Sequence, residues 1–431
     1  MTVDRAGPTT RRTVLRLAGV GAAAGLLSAC AADEDARTVS WQAIPSYSLQ
    51  GTDPKRVGYL REQRAAYEAE SGYRLNPQVT VSDTSAAMAK LLLQASQHRA
   101  PDISQVDGYV FGRTARYART IDRHLSAAGL RLDDWFPSLR AVMTGGGDRV
   151  RGLQFTTDVR VLYYRRDLVP RPPATWEELV GIVRPLAARG QYFTFPAGRS
   201  EGAVNTTLWP QYWAQGADLF TVDGEPAFGS GTGYDAMRNA LRVVRQLIDS
   251  GASPDRVATF GSEDNQNADV VAGRVAMFIG GNWQAAALNN LLPRKDFFTR
   301  FGVAPIPSIS GERHVTSAGG WVWGGFTADD RTLDAGIDWV TRTFVSDSGM
   351  ARWCSLGGYL PPRQSVYDNP QYQKNPFSPI FREHLATYAR GRPSTRKYLE
   401  VSNSMQIALS SVAAGDAEPD QALDDALNRL T

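Results

Sequence analysis

The residue with the clearest potential for ligand chemistry is Trp283, which ends the segment GRVAMFIGGNW that begins at Gly273. An indole ring offers a flat apolar face on which a ligand can stack. The apolar run 275–279, the glycine pair 280–281 and the helix-forming residues 284–292 predict a buried strand, a tight turn and a helix start. Ligands of open α/β sheets bind at the carboxyl ends of strands, so this turn is a candidate site. The alternative is that Trp283 is a core residue.

A carboxylate stands in a second strand-like segment, residues 152–164. Asp158 has apolar neighbours there, and burying a carboxylate is costly unless hydrogen bonds are donated to it. Two interpretations follow from the residues alone: a hydrogen-bond acceptor that faces a ligand, or a strand position that faces solvent.

Further aromatic residues cluster in two places. Residues 205–218 contain three aromatic side chains, Trp209, Tyr212 and Trp213. At most two of these three can face a ligand. Trp321 and Trp323 are two residues apart in a glycine-flanked strand, so both point to the same side of it. A cleft position for one of them and core positions for both are equally consistent with this pattern.

The sequence lacks the common motifs of enzymes and metal sites. Its four histidines lie far apart, without the spacing of a zinc site. It contains neither a nucleophile-elbow nor a phosphate-loop motif. We therefore predict a protein that is not an enzyme, with no catalytic residue, metal or cofactor. A pair of glycosidase carboxylates has no fixed sequence spacing, so a glycan hydrolase remains an open alternative.

Length and charge limit the function classes further. A chain of 431 residues is too long for one small core and predicts two or more lobes. The net charge of +3 comes from residues 1–29, and the remainder has equal numbers of acidic and basic residues. A near-neutral body argues against nucleic acid as a partner and fits a neutral ligand better than a polyanion.

The first residues resemble an export leader. Thr10–Arg16 contains the paired arginines of a twin-arginine signal, and residues 17–29 are apolar but too short to span a bilayer comfortably. Leu27–Cys30 (LSAC) resembles a lipobox, in which the Cys30 sulfur takes a diacylglycerol. We expect residues 1–29 to be a signal peptide, 30–37 a lipidated tether, and the protein to be anchored on the outer face of the cell membrane. A transmembrane anchor or a cytoplasmic tail is the alternative.

From Thr38 onward, strand-like and helix-like segments alternate, which is typical of an α/β protein. Strands are predicted at 39–43, 78–81 and 102–106, with helices at 54–71 and 85–98 between them. This βαβαβ unit leads directly into Asp107 and Tyr109. Those two side chains should therefore lie at the loop edge of the predicted sheet.

Five segments of the folded body, together with the strand–turn–Trp segment, resemble landmarks of one family. They are PDI (101–103), LYYRRDL (162–168), PATWEEL (173–179), FGVAPIP (301–307) and GYLPPR (358–363). With them in this order, nearly all of the chain after the leader resembles the extracellular solute-binding proteins of ABC importers, in the carbohydrate-binding class that includes maltose-binding protein.

The resemblance implies a two-lobed α/β fold of the periplasmic-binding-protein type, with a hinge and a ligand cleft between the lobes. One lobe is expected from residues 38–157 plus 271–330 and the other from 158–270 plus 331–431, with hinge closure on binding. The implied function is capture of a sugar or oligosaccharide outside the membrane and its delivery to an ABC permease, by a monomer.

For the site, the resemblance implies aromatic faces that stack on a pyranose ring and polar groups, Asp158 among them, that bind its hydroxyls. The candidate ligand-binding residues are Trp283, Asp158, Trp209, Thr206, Asp107, Tyr109, Trp321, Trp323, Tyr359 and Arg363. Ser402 occupies a place where maltose-binding protein has a cleft aromatic, so that protein's contacts do not transfer whole. A glycerophosphodiester or other polar solute in the same fold, and a lipoprotein scaffold without a small ligand, are further alternatives beside the hydrolase.

Overall fold

The computed structural model describes residues 37–81 and 84–430. The predicted signal peptide, Cys30 and most of the predicted tether therefore lie outside the described residues. Within the described ranges, no helix is both long enough and apolar enough to pass through a bilayer.

The strands form two main sheets and one small sheet. In chain order they are β1 (Thr38–Gln42), β2 (Arg74–Gln78), β3 (Ile103–Asp107), β4 (Gly152–Thr156), β5 (Arg160–Arg165), β6 (Tyr192–Thr194), β7 (Val275–Gly281), β8 (Phe301–Ala304), β9 (Thr316–Ala318), β10 (Trp321–Gly325) and β11 (Ala389–Gly391). The first sheet has the order β2-β1-β3-β10-β4 and the second the order β6-β7-β5-β8, while β11 pairs with β9.

The first sheet contains the predicted βαβαβ unit. β1 is parallel to β2 and β3, and β10 enters from much later in the chain, antiparallel to both β3 and β4. The strand expected at 78–81 is instead β2, which ends at Gln78. Val79 and Val81, whose β-branched side chains favoured the later position, are 73% and 47% exposed.

The second sheet is built on β7. All seven of its residues are buried, as expected for an apolar strand covered on both faces. Gly281 ends the strand and is the N-cap of the following helix, so the predicted strand and helix start are confirmed. The two glycines belong to the strand end itself rather than to a separate turn.

Helices cover both sheets and connect their strands. In chain order they are α1 (Pro54–Ser71), α2 (Thr84–Ser96), α3 (Gly108–Thr114), α4 (Asp122–Ala127), α5 (Pro137–Thr144), α6 (Trp176–Ala187), α7 (Glu201–Ala203), α8 (Trp209–Ala214), α9 (Gly231–Asp249), α10 (Asn267–Val271), α11 (Asn282–Leu291), α12 (Phe297–Arg300), α13 (Asp330–Val340), α14 (Asp347–Gly357), α15 (Ser378–Thr387), α16 (Tyr398–Ala414) and α17 (Pro419–Asn428). Two π-helical turns, Val204–Leu208 and Thr341–Val345, and several short 3-10 turns complete the helical structure.

Local signals explain where these helices begin and end. The Asp53 side chain accepts hydrogen bonds from the first backbone N–H groups of α1, Pro54 occupies the first helical position, and Gly72 ends the helix at φ 72°. Thr175 caps α6 in the same way by accepting from the Glu178 N–H group.

The division of the chain between the sheets corrects the predicted lobe boundaries. β7 and β8 pair with β5, so residues 275–304 belong to the second sheet and not, as expected, to the first. Conversely, α13 packs on β1, β3 and β10, and α14 contacts β4, so residues 330–357 belong with the first sheet. The prediction was wrong because it placed the crossing back to the first lobe before β7, whereas the chain crosses back only at β10.

Two connections between the sheets run side by side. Residues 157–159 link β4 to β5 and residues 319–320 link β9 to β10, and Val159 pairs with Ala318 between them. The Thr157 hydroxyl donates to the Gly319 carbonyl oxygen over 3.0 Å. These paired crossings join the two lobes and form the candidate hinge.

Candidate ligand-binding cleft

Trp283 lies at the start of α11, between the second sheet and the loop that follows α14. Its ring folds back over Gly281, where a Cβ atom would stand only 2.1 Å from the ring, so this position requires glycine. The Arg160 guanidinium covers one face at 5.1 Å from the ring centroid. The Asn282 side-chain amide donates to the Gly358 carbonyl oxygen over 2.9 Å, which connects the two lobes here.

Arg160 is the centre of a buried polar group in the second lobe. Its guanidinium forms an ion pair with Asp158 and a second one with Glu263, whose Nε–Oε1 distance is 3.0 Å. The Thr206 hydroxyl donates to the same Glu263 oxygen over 2.5 Å. The arginine side chain is only 8% exposed, so its charge is largely removed from water. The free-energy cost of this desolvation is offset by its two ion pairs.

Arg392 is the centre of a second buried group, which bridges the lobes. One terminal nitrogen lies 3.0 Å from Asp107 at the end of β3, and the other lies 3.0 Å from Glu201 at the start of α7. The guanidinium stacks over the Tyr109 ring at 4.6 Å, and Tyr398 donates to Glu201 over 2.7 Å. The Nε atom of Arg392 is buried and has no partner among the described residues, so it remains a donor for a ligand oxygen.

The second chain crossing connects these two groups. Gly319 donates its N–H to Asp158 over 3.0 Å, and a Cβ at Gly319 would approach Arg392 to 2.9 Å. Gly320 has φ 127°, and a Cβ there would stand 2.0 Å from the Thr156 carbonyl oxygen. Glycine at both positions lets the backbone of this crossing approach Asp158, Arg392 and Thr156 closely. We refer to Asp107, Asp158, Arg160, Glu201, Glu263 and Arg392 together as the cleft ion cluster.

The cleft ion cluster has an excess of negative charge. Four carboxylates face two guanidinium groups, all at most 18% exposed. Burial raises the pKa of Asp107 to about 6, with Asp158 and Glu201 adding to the rise and Arg392 opposing it. Such a cluster supplies many hydrogen-bond acceptors to a polyol and repels an anionic ligand.

An aromatic group lies on the first-lobe side of the cleft. Tyr47 stacks on Tyr359 at a centroid distance of 5.1 Å and lies 5.3 Å from Trp321. Trp321 is directly opposite Asp107 on the neighbouring strand, which places the group beside the ion cluster. The Tyr359 hydroxyl accepts a hydrogen bond of 2.9 Å from Arg56. Trp321 and Tyr359 are partly exposed, so part of each ring is free to contact a ligand.

Three predicted site residues lie in the interior instead. Trp323 is fully buried against Phe155 and other aromatic rings of the first-lobe core. Trp209 is also fully buried, and its indole donates to Tyr398 over 3.0 Å. Arg363 is held by an ion pair of 2.8 Å with Asp134 and is 7% exposed. For these three, the proposed ligand contact is corrected to a packing or structural role.

The remaining predicted residues are brought together. Trp283, Asp158 and Thr206 surround Arg160, Asp107 and Tyr109 contact Arg392, and Trp321 and Tyr359 form the aromatic group. Sequence reasoning missed Arg160, Glu201, Glu263 and Arg392. The spacing of Asp158 and Arg160 on one crossing strand was a usable signal, because two opposite charges in an apolar run imply a buried pair.

Cys354 is fully buried and free, and burial raises the pKa of its thiol well above the ordinary value. Among the described residues, no group of three or more histidine, cysteine, aspartate or glutamate side chains is arranged to hold a metal ion.

A cavity of about 650 Å³ lies between α2 and α3 of the first lobe and α16 of the second. Tyr109 and Glu201 line it and also contact Arg392. The cavity therefore shares these two residues with the contacts of Arg392.

Two α/β lobes joined by crossing strands, with a polar and aromatic cleft between them, define a hinged solute-binding protein. The family model of the bacterial extracellular solute-binding proteins matches residues 62–379. The chain belongs to this family, and the resemblance stated from the sequence is confirmed.

Curated relatives match at low identity. The maltooligosaccharide ABC transporter solute-binding lipoprotein of Streptococcus pneumoniae is 22% identical over 62% of this chain and 60% of its own length. The maltodextrin-binding protein MdxE of Bacillus subtilis is 20% identical over 65% of this chain and 66% of its own length. The matches thus span less than two thirds of these relatives.

Solved structures show the same fold. Maltose-bound MalE3 of T. maritima superposes with a TM-score of 0.75 at 20% identity, covering 91% of this chain and 98% of that one. The GacH receptor of Streptomyces glaucescens, solved without ligand and with acarbose, has a TM-score of 0.72 at 20% identity, with coverage of 91% and 96%. The predicted two-lobed binding-protein fold is confirmed.

Proposed function

We propose that this protein captures a neutral carbohydrate in the cleft, outside the cell membrane, and delivers it to the permease of an ABC importer. Family membership and the curated relatives, which carry maltooligosaccharide or maltodextrin in their names, support this proposal.

One observation carries the choice of ligand class: buried acceptors and aromatic rings from both lobes converge on one cleft. Carboxylates and guanidinium groups suit the paired hydroxyls of a sugar, and the rings of Trp283, Trp321 and Tyr359 suit its C–H faces. A glycerophosphodiester would have to approach four carboxylates with only two guanidinium groups to receive it. The anionic alternative is therefore disfavoured.

The ligand contacts that we propose come from both lobes. Asp107, Tyr109, Trp321 and Tyr359 act from the first lobe, and Trp283 and Asp158 from the second or its hinge, with Arg392 as an additional donor. Thr206 is fully buried and acts through its hydrogen bond to Glu263. Because Arg392 joins Asp107 and Glu201 across the cleft, it links ligand binding to closure of the lobes.

Export and anchoring complete the proposal. A twin-arginine signal would direct export, and a diacylglycerol on Cys30 would hold a monomer at the outer face of the membrane through the tether 30–37. The lobes that we propose are residues 38–157 with about 318–375, and 158–317 with about 376–431, following the strand pairing.

A thermal-shift screen tests the function. The protein is melted with mono- and oligosaccharides, glycerophosphodiesters and amino acids, and each compound is recovered and analysed for breakdown. A sugar at 100 times its dissociation constant stabilises the native state by about 2.7 kcal/mol. Asp158→Asn should abolish the shift, whereas Asp133→Asn, an exposed matched control, should not.

A sugar shift without turnover would support a transport receptor. Breakdown of the sugar would favour the hydrolase, and a shift with glycerophosphodiesters alone would overturn the neutral-ligand proposal. No shift with any carbohydrate would also contradict it.

A further inference from the structure

Residues 391–395, which we call the linking segment, lie between β11 and α16 at the boundary of the two lobes. Both of these neighbours belong to the second lobe, because β11 pairs with β9 and α16 packs on α9 and α17. The linking segment also contacts the first lobe. A Cβ atom on Gly391 would stand 2.6 Å from the carbonyl oxygen of Ser138 in α5. The segment therefore joins the lobes in addition to the hinge crossings.

A second close contact lies between the linking segment and α3 of the first lobe. A Cβ atom on Gly112 would stand 2.8 Å from the carbonyl carbon of Ser394 and 2.9 Å from its carbonyl oxygen. These are backbone atoms, which cannot turn aside as a flexible side chain can, so a larger residue at 112 would push the segment away. Alanine forms helices better than glycine does, so a glycine inside α3 needs a packing reason. The contact with Ser394 supplies that reason.

The same face of α3 also receives Arg392. Tyr109 and Gly112 are three residues apart on the helix and therefore lie on one face of it. The Arg392 guanidinium stacks on the Tyr109 ring at 4.6 Å, while Ser394, two residues further along the segment, rests on Gly112. Docking of the segment on α3 thereby places the guanidinium between its two carboxylate partners, which belong to different lobes.

Opposing contributions act on the docked linking segment. The two ion pairs of Arg392 hold it in place. Against them, Arg392 Nε, Ser394 Oγ and Thr395 Oγ1 are buried without a hydrogen-bond partner among the described residues. A buried polar group without a partner is destabilising, and release of the segment from α3 would expose these groups to water. Because the contributions oppose each other, one added methyl group can shift the balance.

We infer that Gly112 is a positioning residue: by letting the linking segment dock on α3, it places Arg392 across the cleft and keeps the lobes together. The inference concerns the approach of the two lobes and applies whatever the ligand is. It therefore goes beyond the proposed function and does not depend on it.

Small-angle X-ray scattering of the full chain, without any added ligand, tests the inference because separation of the lobes increases the radius of gyration. In Gly112→Ala the added methyl group should push the linking segment off α3, so the radius should be larger than in wild type. Gly181→Ala is the matched control, since Gly181 also lies inside a helix but a Cβ there meets no atom within 4 Å. The control should keep the wild-type radius.

A second substitution connects the effect to Arg392. Arg392→Lys retains the charge, but a single amine cannot replace the two nitrogens that reach different carboxylates, so the radius of gyration should again increase. If Gly112 acts through Arg392, then Arg392→Lys should cause no further increase in the Gly112→Ala background. A general loosening of α3 would instead add to the effect of Arg392→Lys.

Three results would overturn the inference: equal radii for wild type and Gly112→Ala, a smaller radius in the variant, or additive increases in the double variant. If Gly112→Ala fails to fold, Gly391→Ala takes its place in the same comparison, because its added methyl group would meet the Ser138 carbonyl oxygen and push the segment off α5. The thermal-shift screen tests the proposed function separately, so each can fail without the other.

Discussion

Asp107 should make the stability of this protein depend on pH in a direction opposite to that of most carboxylates. Its carboxylate is nearly buried between the lobes, with Arg392 at 3.0 Å and with Asp158 and Glu201 nearby. Burial and these two acidic neighbours disfavour the charged form more than Arg392 favours it, so its pKa rises from 3.8 to about 6.

The sign follows from proton binding in the two states. The folded protein holds the proton on Asp107 more tightly than the unfolded chain, so this group adds stability below pH 3.8 and loses it as the pH rises through about 6. At about 1.36 kcal/mol per pH unit, the full effect is about 3 kcal/mol. About 2 kcal/mol of it should appear between pH 7.5 and pH 4.5.

Asp107→Asn isolates this effect because it preserves the shape and removes the titration. Urea denaturation of wild type and variant at pH 7.5, 6.0 and 4.5 gives the free energy of unfolding of each. The difference, wild type minus variant, should grow as the pH falls. In Asp133→Asn the difference should stay nearly flat over this range, because Arg131 lowers the pKa of the exposed Asp133 from 3.8 and its titration falls below pH 4.5. Parallel pH profiles for wild type and Asp107→Asn would refute the reasoning.

Three further substitutions test other parts of the structure. Trp283→Ala should weaken ligand binding by about 1–3 kcal/mol in calorimetric titration, while Trp283→Phe keeps part of the stacking surface; unchanged affinity in folded Trp283→Ala would remove the residue from the site. Arg363→Ala should cost about 3–5 kcal/mol of unfolding free energy because it strands the carboxylate of Asp134, with little change in affinity; the reverse pattern would return Arg363 to the cleft. When cells are fractionated, Cys30→Ser should move the protein from the membrane fraction to the soluble fraction. If the variant stays in the membrane fraction, a transmembrane anchor is indicated.

Local elements were predictable because their signals are local. The strand β7, the start of α11, the helix α1 and the cap of α6 follow from apolar periodicity, capping residues and glycine positions. Strand β2 was misplaced by a few residues because Val79 and Val81 have strand propensity but face solvent. Lobe boundaries depend on pairing between distant strands, which periodicity does not encode.

The site was predictable in part for the same reason. Trp283 and Asp158 stand out in sequence, the first beside glycines and the second within an apolar strand. Arg392 and Glu201 lie in segments with ordinary surface composition and become site residues only when the lobes meet. Trp321 and Trp323 have the same sequence context. Only the packing of Phe155 against Trp323 shows that Trp323 is a core residue while Trp321 lies at the cleft.

The late arrival of β10 has a consequence for how the protein is made. β10 lies between β3 and β4, so the first sheet cannot close until the ribosome has synthesised the whole second sheet. The second sheet consists only of β5 to β8, which follow one another in the chain, so it can form as soon as β8 has been synthesised. The second sheet should therefore pair before the first sheet is complete. This leaves β3 and β4 with unpaired edges during synthesis, and such edges are prone to aggregation.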